Sequence, residues 1–467
     1  MFTKRYVKWI SLVSLGLFVV AATIGLAANE STTAFVYPPF KHTWGVVRGT
    51  PAKLFMLVGN RAKFSEPRGL ACVRMNSWDD PKLTADDDEV TVYGVNSGQN
   101  TIIYNKSMYE LGIYGDRQSG EAKLKDPWGI AANSNGDVFV SDMGNHRVVR
   151  LFNPKSELNF VSSFGGLGTE NGKFNQPRGI ALDNEGRVYV ADYLNNRIQI
   201  HESDGTFIRS IFGLLGPVAV SVTDAKERWS YNHSTNREAF LVVVDSLEGR
   251  VSKYSLDGVL LKRVTARSWG VSNARIQFAA IDFFSQVLLT DGSNNCIWKL
   301  DRNLNLLSKF GKRGSGDYEF DDPRGITLYR RFGQIFIAER EGAQYLWVGV
   351  DLLRPDLKWE ARNRVLTVTG FLTETAKVDI DLLDASGKLV TRIQSARINA
   401  GAFTETWDGA IRTFPKTGLT DAEESQVSRF QVGNPVSPGS YQIRISARAT
   451  YSSVREFERE VTLPVSL

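Results

Sequence analysis

The sequence has few cysteines that could form covalent crosslinks. Cysteine occurs only at Cys72 and Cys296, so disulfide bonds cannot hold together a chain of 467 residues. We expect both thiols to be free, because the segments that carry them should not touch and a bridge requires Cα atoms within about 7 Å. The fold must therefore be stabilised by core burial and by closure of its sheets.

The chain also lacks a large charge excess of one sign. Its formal charge is +5, and this falls to +2 when Lys4, Arg5 and Lys8 of the N-terminus are set aside. A nucleic-acid partner would require a concentrated basic surface, so we expect none. The acidic run Asp86–Glu89 is expected to be a solvated loop rather than a metal site.

Residues 1–28 are predicted to be an export signal or a membrane anchor. Basic residues precede a continuous apolar run from Trp9 to about Ala28, after which the sequence turns polar at Asn29. A basic start, an apolar middle and a small-residue end are typical of a signal peptide, but the run is also long enough for an uncleaved single-span anchor. Either alternative predicts an exported protein that is periplasmic, on the cell surface or secreted. Residues 29–52 are predicted to be a linker.

A strand-like pattern repeats along most of the chain. A short hydrophobic run ends in an acidic or amide residue six times, at steps of 46 to 53 residues: Asn96, Asp142, Asp192, Asp245, Asp291 and Glu339. In the clearest repeat, Pro177-Arg178-Gly179 opens the first strand, and Asp204-Gly205 supplies the positive φ of a tight turn. A period of this length carried by strands predicts a β-propeller with one four-stranded sheet per repeat.

The two ends of the repeated region predict how the ring closes. The sixth repeat supplies a third strand at about Tyr345–Val350 and no fourth strand. Leu54–Val58 looks like a fourth strand that has no repeat of its own. Pairing these two segments would cover two free sheet edges, so we predict six blades over residues 53–353, closed by Leu54–Val58.

The motifs of the third repeat resemble those of a known family. Pro177-Arg-Gly-Ile180, Val188–Asp192 followed by Asn195-Asn-Arg-Ile198, and Ser210-Ile-Phe-Gly213 resemble NHL repeats, a family of six-bladed propellers. Together the repeats cover about two thirds of the chain. Similar propellers serve as binding platforms, as extracellular sensor domains and, in the peptidylglycine-amidating lyases, as metal-dependent enzymes. The resemblance therefore implies an all-β fold and leaves the activity open.

Residues 356–467 break the period and alternate between apolar and polar positions, which predicts a small antiparallel β-sandwich. Thr406–Gly409 and Val436–Tyr441 resemble the Ig-like module of the flagellar hook-capping protein. Some similar modules are secretion-sorting signals, and this alternative stays open.

One face of a propeller should carry a circle of residues. These are the residues at the start of the first strands and at the end of the second strands. The candidate ligand-binding set on this face is Arg68, Trp128, His146, Arg178, Arg324, Asp142 and Asp192. One hypothesis is a funnel of paired charges that binds a polar or peptide ligand. The other is structural: each aspartate caps its turn and pairs with the arginine five residues on, Arg147 or Arg197. Trp128 and His146 depart from the repeat and are therefore the sharper ligand candidates.

We predict a non-catalytic scaffold that binds a protein, peptide or cell-envelope glycan, with no cofactor except, as an open alternative, a structural calcium ion. Membrane contact is expected only through an uncleaved N-terminus. A zinc site is not expected, because His42, His146, His201 and His233 should not converge. Two long loops, 74–89 and 224–238, form a second candidate surface on the opposite face. The alternative function is a calcium-dependent lyase or hydrolase in the channel.

Overall fold

The structure is a computed structural model in which β-strands dominate. It describes residues 35–36, 48–77, 90–106, 110–225, 238–246, 249–330, 333–413, 430–450 and 458–467. The predicted all-β class is confirmed. The predicted signal or anchor, residues 1–28, lies outside the described residues. None of the described helices is long and apolar enough to cross a membrane.

Five of the described sheets contain four antiparallel strands each, in chain order. Sheet one contains Pro67–Val73, Thr91–Asn96, Thr101–Asn105 and Leu111–Tyr114. Sheet two contains Ile130–Ala132, Asp137–Asp142, Arg147–Phe152 and Asn159–Gly165. Sheet three contains Pro177–Leu182, Val188–Asp192, Arg197–His201 and Phe207–Ile211. These strands fall where the repeat predicts them.

The pattern continues through the next two sheets. Sheet four contains Pro217–Thr223, Phe240–Asp245, Arg250–Tyr254 and Leu260–Thr265. Sheet five contains Ile276–Ile281, Val287–Asp291, Cys296–Leu300 and Leu306–Phe310. A short parallel pair, Lys312–Arg313 with Glu319–Phe320, follows sheet five.

Sheet six joins both ends of the repeated region. Its C-terminal part is Ile326–Tyr329, Gln334–Glu339 and Gly342–Val348. Two N-terminal segments, Phe35–Val36 and Arg48–Gly49, pair antiparallel with the last of these strands. These N-terminal segments lie in the stretch predicted to be a linker, and they take the edge position at which a closing strand was predicted.

The predicted closing strand Leu54–Val58 is wrong, because these residues belong to the helix Pro51–Val58. The side chain of Thr50 accepts a hydrogen bond from the backbone N–H of Lys53 at 3.4 Å, and Pro51 occupies the first turn. A threonine N-cap followed by proline is a standard helix start. The apolar run that suggested a strand instead buries Leu54 and leaves Phe55 and Met56 exposed.

The first strands of the six sheets contact one another in a closed circuit that includes a contact between sheets six and one. Glycine at the third residue of the Pro-x-Gly segment permits this close approach. A Cβ on Gly325 would clash with the carbonyl oxygen of Arg68, and one on Gly129 would clash with that of Arg178. The backbone N–H of Gly69 donates to the carbonyl of Trp128 at 3.0 Å, which ties sheet one to sheet two.

The apolar cores lie between neighbouring sheets. Tyr93 of sheet one packs in one cluster with Val138 and Val140 of sheet two, and Phe139 of sheet two packs in another with Val188 of sheet three. Further clusters join sheets three and four, four and five, and five and six. Each fully buried large side chain contributes about 1.5 to 3 kcal/mol, so the stability of this region is spread over repeated contacts between sheets.

The C-terminal region contains a three-stranded and a four-stranded sheet that share one core. The first consists of Leu352–Glu360, Val365–Leu372 and Gly401–Trp407. The second consists of Leu389–Ile398, Ala376–Leu383, Ser440–Ala449 and Glu458–Ser466. Ala410–Thr413 and Gln431–Pro435 form a hairpin beside them. Leu366 and Val368 of the first sheet pack against Ile380 and Ile443 of the second, as in a sandwich.

A buried ion pair joins this region to sheet five. Lys299 Nζ pairs with Glu374, and both side chains are fully buried. Gln286 Nε2 donates to Glu374 Oε1 at 2.5 Å. The carboxylate of Asp282 lies in the same cluster and takes part in its electrostatics. Breaking a buried ion pair costs several kcal/mol, so this cluster holds the two regions together.

Both cysteines are free, as predicted, with Cys72 in sheet one and Cys296 in sheet five. Burial raises the pKa of both thiols, and a raised pKa keeps a thiol protonated and unreactive. Most of the two long predicted loops, residues 78–89 and 226–237, lies outside the described residues.

Candidate functional site

The face on which first strands begin and second strands end is called the front face here, and its outer ring is made of hydrogen-bonded carboxylates. Asp142 Oδ1 accepts the backbone N–H of Lys125 at 2.6 Å, and its Oδ2 accepts from Asn145 and Arg147, each at 2.8 Å. Asp142 is fully buried. Its two oxygens therefore fix the following turn and the approach to the first strand, and a ligand does not reach them.

Asp192 repeats this arrangement one sheet further on. Its Oδ1 accepts the backbone N–H of Asn175 at 2.7 Å, and its Oδ2 accepts from Arg197 at 2.8 Å. Asn195 and Gln199 also donate to Oδ2. The predicted pairs of Asp142 with Arg147 and of Asp192 with Arg197 are both present. Asp142 and Asp192 therefore fit the structural hypothesis, in which each aspartate caps its turn and pairs with the arginine five residues on.

The same bond recurs where the residue type changes. Asn96, Asp291 and Glu339 each accept a backbone N–H from the segment before the first strand of their own sheet. Asp245 pairs with Arg250 in the same way as its counterparts. The carboxylate or amide that ends each second strand is therefore a repeated element of the scaffold.

His146 has a second repeated role, which connects neighbouring sheets. It adopts a left-handed conformation after a short turn, and its Nδ1 accepts the backbone N–H of Gln176 at 3.1 Å. Asn100, Asn196 and Asn295 occupy the same place in other sheets, and each accepts a backbone N–H near the start of the next sheet. His146 replaces the asparagine found in other sheets and accepts the same hydrogen bond. The presence of histidine at this position therefore does not require a ligand to explain it.

Three of the predicted residues meet at the centre of the front face. The guanidinium carbon of Arg68 lies over the ring of Trp128, 4.2 Å from the ring centre, and that of Arg178 lies 4.3 Å from the same centre. Arg178 also lies over the ring of Tyr193 at 3.4 Å. The two arginines come from the sheets that flank sheet two. Trp128 reaches across to stack with Phe278 of sheet five, with 6.3 Å between ring centres.

The two arginines of this Arg68–Trp128–Arg178 stack have fewer carboxylates nearby than are needed to balance their positive charge. Arg68 Nη1 lies 3.3 Å from Asp126 Oδ1, and no described carboxylate lies within ion-pair distance of Arg178. Burial, with a contribution from the charge of Arg324, lowers the pKa of Arg68, while Asp126 and Glu66 act to raise it. Burial also lowers the pKa of Arg178, and the charge of Arg68 contributes. Cation–π contacts of this kind contribute about 0.5 to 2 kcal/mol each.

Arg324 was predicted to belong with these arginines, but its charge is already compensated. Its Nη1 donates to Glu66 Oε2 at 2.5 Å, and its Nη2 donates to Asp322 Oδ2 at 2.8 Å. Burial lowers the pKa of Arg324, but the bonds to Glu66 and Asp322 outweigh burial and raise it. Because Glu66 precedes sheet one, these bonds join sheet six to sheet one.

A cavity of about 520 Å³ runs between the first strands towards the opposite face, which is called the back face here. Its deeper wall is formed by small and apolar residues such as Ala71, Ala131 and Ala181. Near its mouth, Arg330 donates from Nε to the carbonyl of Ile281 at 2.7 Å and from Nη2 to that of Val222 at 2.9 Å. Arg330 therefore ties sheet six to sheets five and four across the channel.

The described histidines do not form a metal centre. His201 is buried against Phe164, Phe174 and Phe207, and burial lowers its pKa. Across the described residues, no group of three or more His, Cys, Asp or Glu side chains could hold a metal ion. His42 and His233 lie outside the described residues.

Residues 124–151 and 174–200 match the NHL repeat family. They cover nearly all of the first three strands of sheets two and three, and sheet three is the repeat from which the resemblance was drawn. No curated protein matches the chain.

Several solved structures are similar to part of the chain. Virginiamycin B lyase from Staphylococcus aureus is 16% identical over 56% of this chain and 78% of its own, with a TM-score of 0.40. A gluconolactonase from Xanthomonas campestris is 12% identical over 64% of this chain and 94% of its own, with a TM-score of 0.43. A luciferin-regenerating enzyme is 12% identical over 65% of this chain and 95% of its own, with a TM-score of 0.42. At these identities and TM-scores the likeness assigns no activity to this chain.

Sequence reasoning missed several residues around the Arg68–Trp128–Arg178 stack. Asp126 precedes the Pro-x-Gly segment by one position, and Tyr193 follows Asp192 in its turn. Both positions adjoin recognised motifs and could have been examined. Phe278 carried no such signal, because sheet five lacks the opening proline and its contact with Trp128 crosses the ring.

Proposed function

We propose that the six sheets are the blades of an NHL-type propeller and that the protein is a non-catalytic binding scaffold. In this proposal the ring begins with the closing segments at residues 35–49 and ends near residue 353. Residues 356–467, together with the start of the strand Leu352–Glu360, form an Ig-like module. The partner is a protein, peptide or cell-envelope glycan, and the N-terminal sequence makes the protein an exported one.

The observation that carries this proposal is the difference between the outer ring and the centre of the front face. Asp142 and Asp192 use both carboxylate oxygens within the fold, whereas Arg68 and Arg178 retain uncompensated charge and, together with Trp128, unused N–H groups. Buried polar groups normally have hydrogen-bond partners. A site with unused donors, at which Trp128 takes the place of the repeated arginine, is therefore the best-supported place for recognition.

The proposal is tested by capturing partners from an envelope extract with the wild-type chain, with Trp128→Ala and with Arg178→Gln. We expect the wild type to retain a partner that both variants lose, while circular dichroism shows that all three chains stay folded. Arg150→Gln serves as the matched control, because Arg150 also lies over an aromatic ring but is bound to Asp137 at the back of sheet two. Equal capture by all four chains would contradict the proposed site.

The alternative of a calcium-dependent lyase or hydrolase is favoured by one observation, the cavity between the first strands. Asp137 and Asp224 lie at its mouth and would become oxygen ligands of calcium only by giving up their hydrogen bonds from Arg150 and Asn184. Metal analysis of the purified protein distinguishes the two functions. Calcium held in stoichiometric amount through dialysis, and lost from Asp224→Ala, would support the enzyme and count against the scaffold.

A further inference from the structure

We propose that the Arg68–Trp128–Arg178 stack is a carboxylate-binding site and that the carboxylate is the C-terminus of a peptide. This inference rests on the proposed scaffold function and narrows its ligand class. The carboxylate would accept hydrogen bonds from the indole N–H of Trp128 and from the two guanidinium groups.

Three buried donors at the site have no acceptor among the described residues. They are Trp128 Nε1, Arg68 Nη1 and Arg178 Nε. Trp128 is 8% exposed, so its N–H is removed from bulk water without gaining a protein partner. Arg68 Nη1 lies 3.3 Å from Asp126 Oδ1, a distance that allows an ion pair, but the two atoms do not form a hydrogen bond. Buried polar groups normally have a hydrogen-bond partner, so these donors could serve an acceptor from outside the chain.

The charge at the site favours an anion that carries a single negative charge. Arg68 and Arg178 have one carboxylate, Asp126, within ion-pair distance of either of them. Burial lowers the pKa of both arginines, so the folded chain holds their charges against a desolvation cost. A bound carboxylate would offset that cost and would accept the two-pronged contacts that guanidinium groups make with planar oxyanions.

The geometry favours a peptide terminus over an acidic sugar. The guanidinium groups of Arg68 and Arg178 already lie over the ring of Trp128, so the ring surface is occupied by cations rather than left open for a sugar ring to stack on. The N–H at the edge of the indole remains unused and suits a small planar group. A terminal carboxylate would need the N–H donors alone and no further aromatic surface.

The site adjoins solvent on the front face. The side chain of Arg68 is 17% exposed, and that of Asp126 beside it is 46% exposed. A chain terminus can therefore approach Arg68 from the front face without opening the ring, and it meets the three shielded donors once the side chains around them move. The cavity between the first strands is a separate feature, and neither Arg68, Trp128 nor Arg178 lines it.

Two arginines elsewhere show what compensated sites look like. Arg324 starts sheet six at the position equivalent to Arg68 and Arg178, but both Glu66 and Asp322 accept its hydrogen bonds. Arg150 lies 5.9 Å from the ring centre of Phe139, and its Nε and Nη2 both donate to Asp137. Arg150 is therefore the matched control, because it combines an aromatic neighbour with a satisfied guanidinium group and lies outside the site.

The experiment is a titration of the full chain, 15N-labelled at its ten tryptophans, followed through the indole N–H resonances. Trp128→Phe assigns the resonance of Trp128 by its loss. The probes at constant ionic strength are N-acetylglycine, whose carboxylate mimics a peptide terminus, its neutral amide N-acetylglycinamide, and glucuronate. We expect N-acetylglycine to shift the Trp128 resonance in a saturable manner and the amide to leave it unchanged.

The variants test which residues carry the binding. Arg178→Gln and Arg68→Gln should weaken N-acetylglycine binding at least about tenfold each, since a hydrogen bond to a charged group contributes at least that factor. Arg150→Gln should bind like the wild type. Comparable spectra for the other nine tryptophans show that each variant is folded, and Arg178→Lys, which keeps the charge, provides a second variant with intermediate binding.

Several results would overturn the inference. They are no saturable shift with N-acetylglycine, an equal shift with the neutral amide, or unchanged binding in both Gln variants. Tighter binding of glucuronate than of N-acetylglycine would overturn the peptide assignment. If N-acetylglycine fails to bind while partner capture still depends on Trp128, the carboxylate inference fails and the scaffold function stands. If capture fails as well, both fail.

Discussion

The outer ring and the centre of the front face are built from similar residue types but use them differently. In the outer ring, Asp142 and Asp192 are fully buried and each accepts several hydrogen bonds from its own turn. At the centre, Arg68 and Arg178 lie over Trp128 and retain donors without acceptors.

This difference separates the residues that build the sheets from those that are free to recognise a ligand. The outer ring recurs from sheet to sheet because every sheet needs the same turn and the same start of its first strand. At the centre, Arg68 and Arg178 are repeated residues like Arg324, and only Trp128 departs from the repeat. Repetition alone therefore does not separate scaffold from site, because His146 departs from the repeat and still makes the scaffold bond. The partners of each charged group make the distinction: those of Asp142 and Asp192 lie within the fold, whereas Arg178 has no carboxylate among the described residues within ion-pair distance.

The strongest way to break the comparison is to remove a carboxylate of the outer ring. We expect Asp192→Ala to lower the free energy of unfolding by about 3 to 5 kcal/mol, because Arg197 would be left buried without its partner. Urea unfolding followed by circular dichroism measures this change. Asp257→Ala, at an ion pair whose aspartate side chain is 90% exposed, should cost less than about 1 kcal/mol. A comparable loss in the two variants would show that the outer ring is not structural.

The buried cluster of Asp282, Lys299 and Glu374 predicts how the stability of the protein depends on pH. Burial, followed by the charge of Glu374, raises the pKa of Asp282 to about 7, while Lys299 acts to lower it. Between about pH 4 and pH 7 the folded state therefore binds a proton that the unfolded state has lost, and the contribution of Asp282 to stability falls as the pH rises. We expect a loss of a few kcal/mol across this window. Unfolding midpoints at pH 5 and pH 8 should differ less in Asp282→Asn than in the wild type, and an equal difference would contradict this assignment.

Arg324 and Arg178 occupy equivalent positions in two sheets, so replacing each of them compares a compensated arginine with an uncompensated one. Arg324→Gln should destabilise the protein by about 1 to 3 kcal/mol, because Arg324 makes charged hydrogen bonds to Glu66 and Asp322. Arg178→Gln should change stability by less than about 1 kcal/mol, since the lost cation–π contacts are offset by relief of desolvation. Urea midpoints measure both. The reverse order would show that the centre, and not Arg324, stabilises the ring.

The smallest expected effect is at His146. His146→Asn should stay within about 0.5 kcal/mol of the wild type, because Asn196 makes the equivalent bond in the next sheet. His146→Ala should cost about 1 kcal/mol through loss of the acceptor for the N–H of Gln176. Thermal unfolding distinguishes these outcomes. If Asn is as harmful as Ala, the imidazole has a role beyond this bond.

Much of the fold could be predicted because its signals are local and repeated. The turn at Asp204-Gly205 and the run Val188–Asp192 each specify a strand boundary within a few residues. The closing strand was misplaced because Leu54–Val58 is apolar in a way that fits a strand or a helix, and the Thr50-Pro51 start was not weighed. The actual closing segments at residues 35–36 and 48–49 are too short to show an alternating pattern.

The candidate site was only partly predictable. The sequence brought Arg68, Trp128 and Arg178 to one face, because the Pro-x-Gly segments begin equivalent strands. It could not separate Arg324 from them, since the partner Glu66 lies far away in the chain and becomes a neighbour only when the ring closes. The buried pair of Lys299 and Glu374 was missed for the same reason. Pairings across large sequence separations depend on tertiary structure, which local motifs do not encode.

The most direct test of this account measures binding and stability together in two variants, Arg178→Gln and Asp192→Asn. Affinity for N-acetylglycine and the urea midpoint would be determined on the same samples. Arg178→Gln should lose binding and keep the wild-type midpoint, whereas Asp192→Asn should unfold at lower urea and, while folded, bind as the wild type does. The account would be contradicted if Asp192→Asn lost binding while fully folded and Arg178→Gln bound as the wild type does.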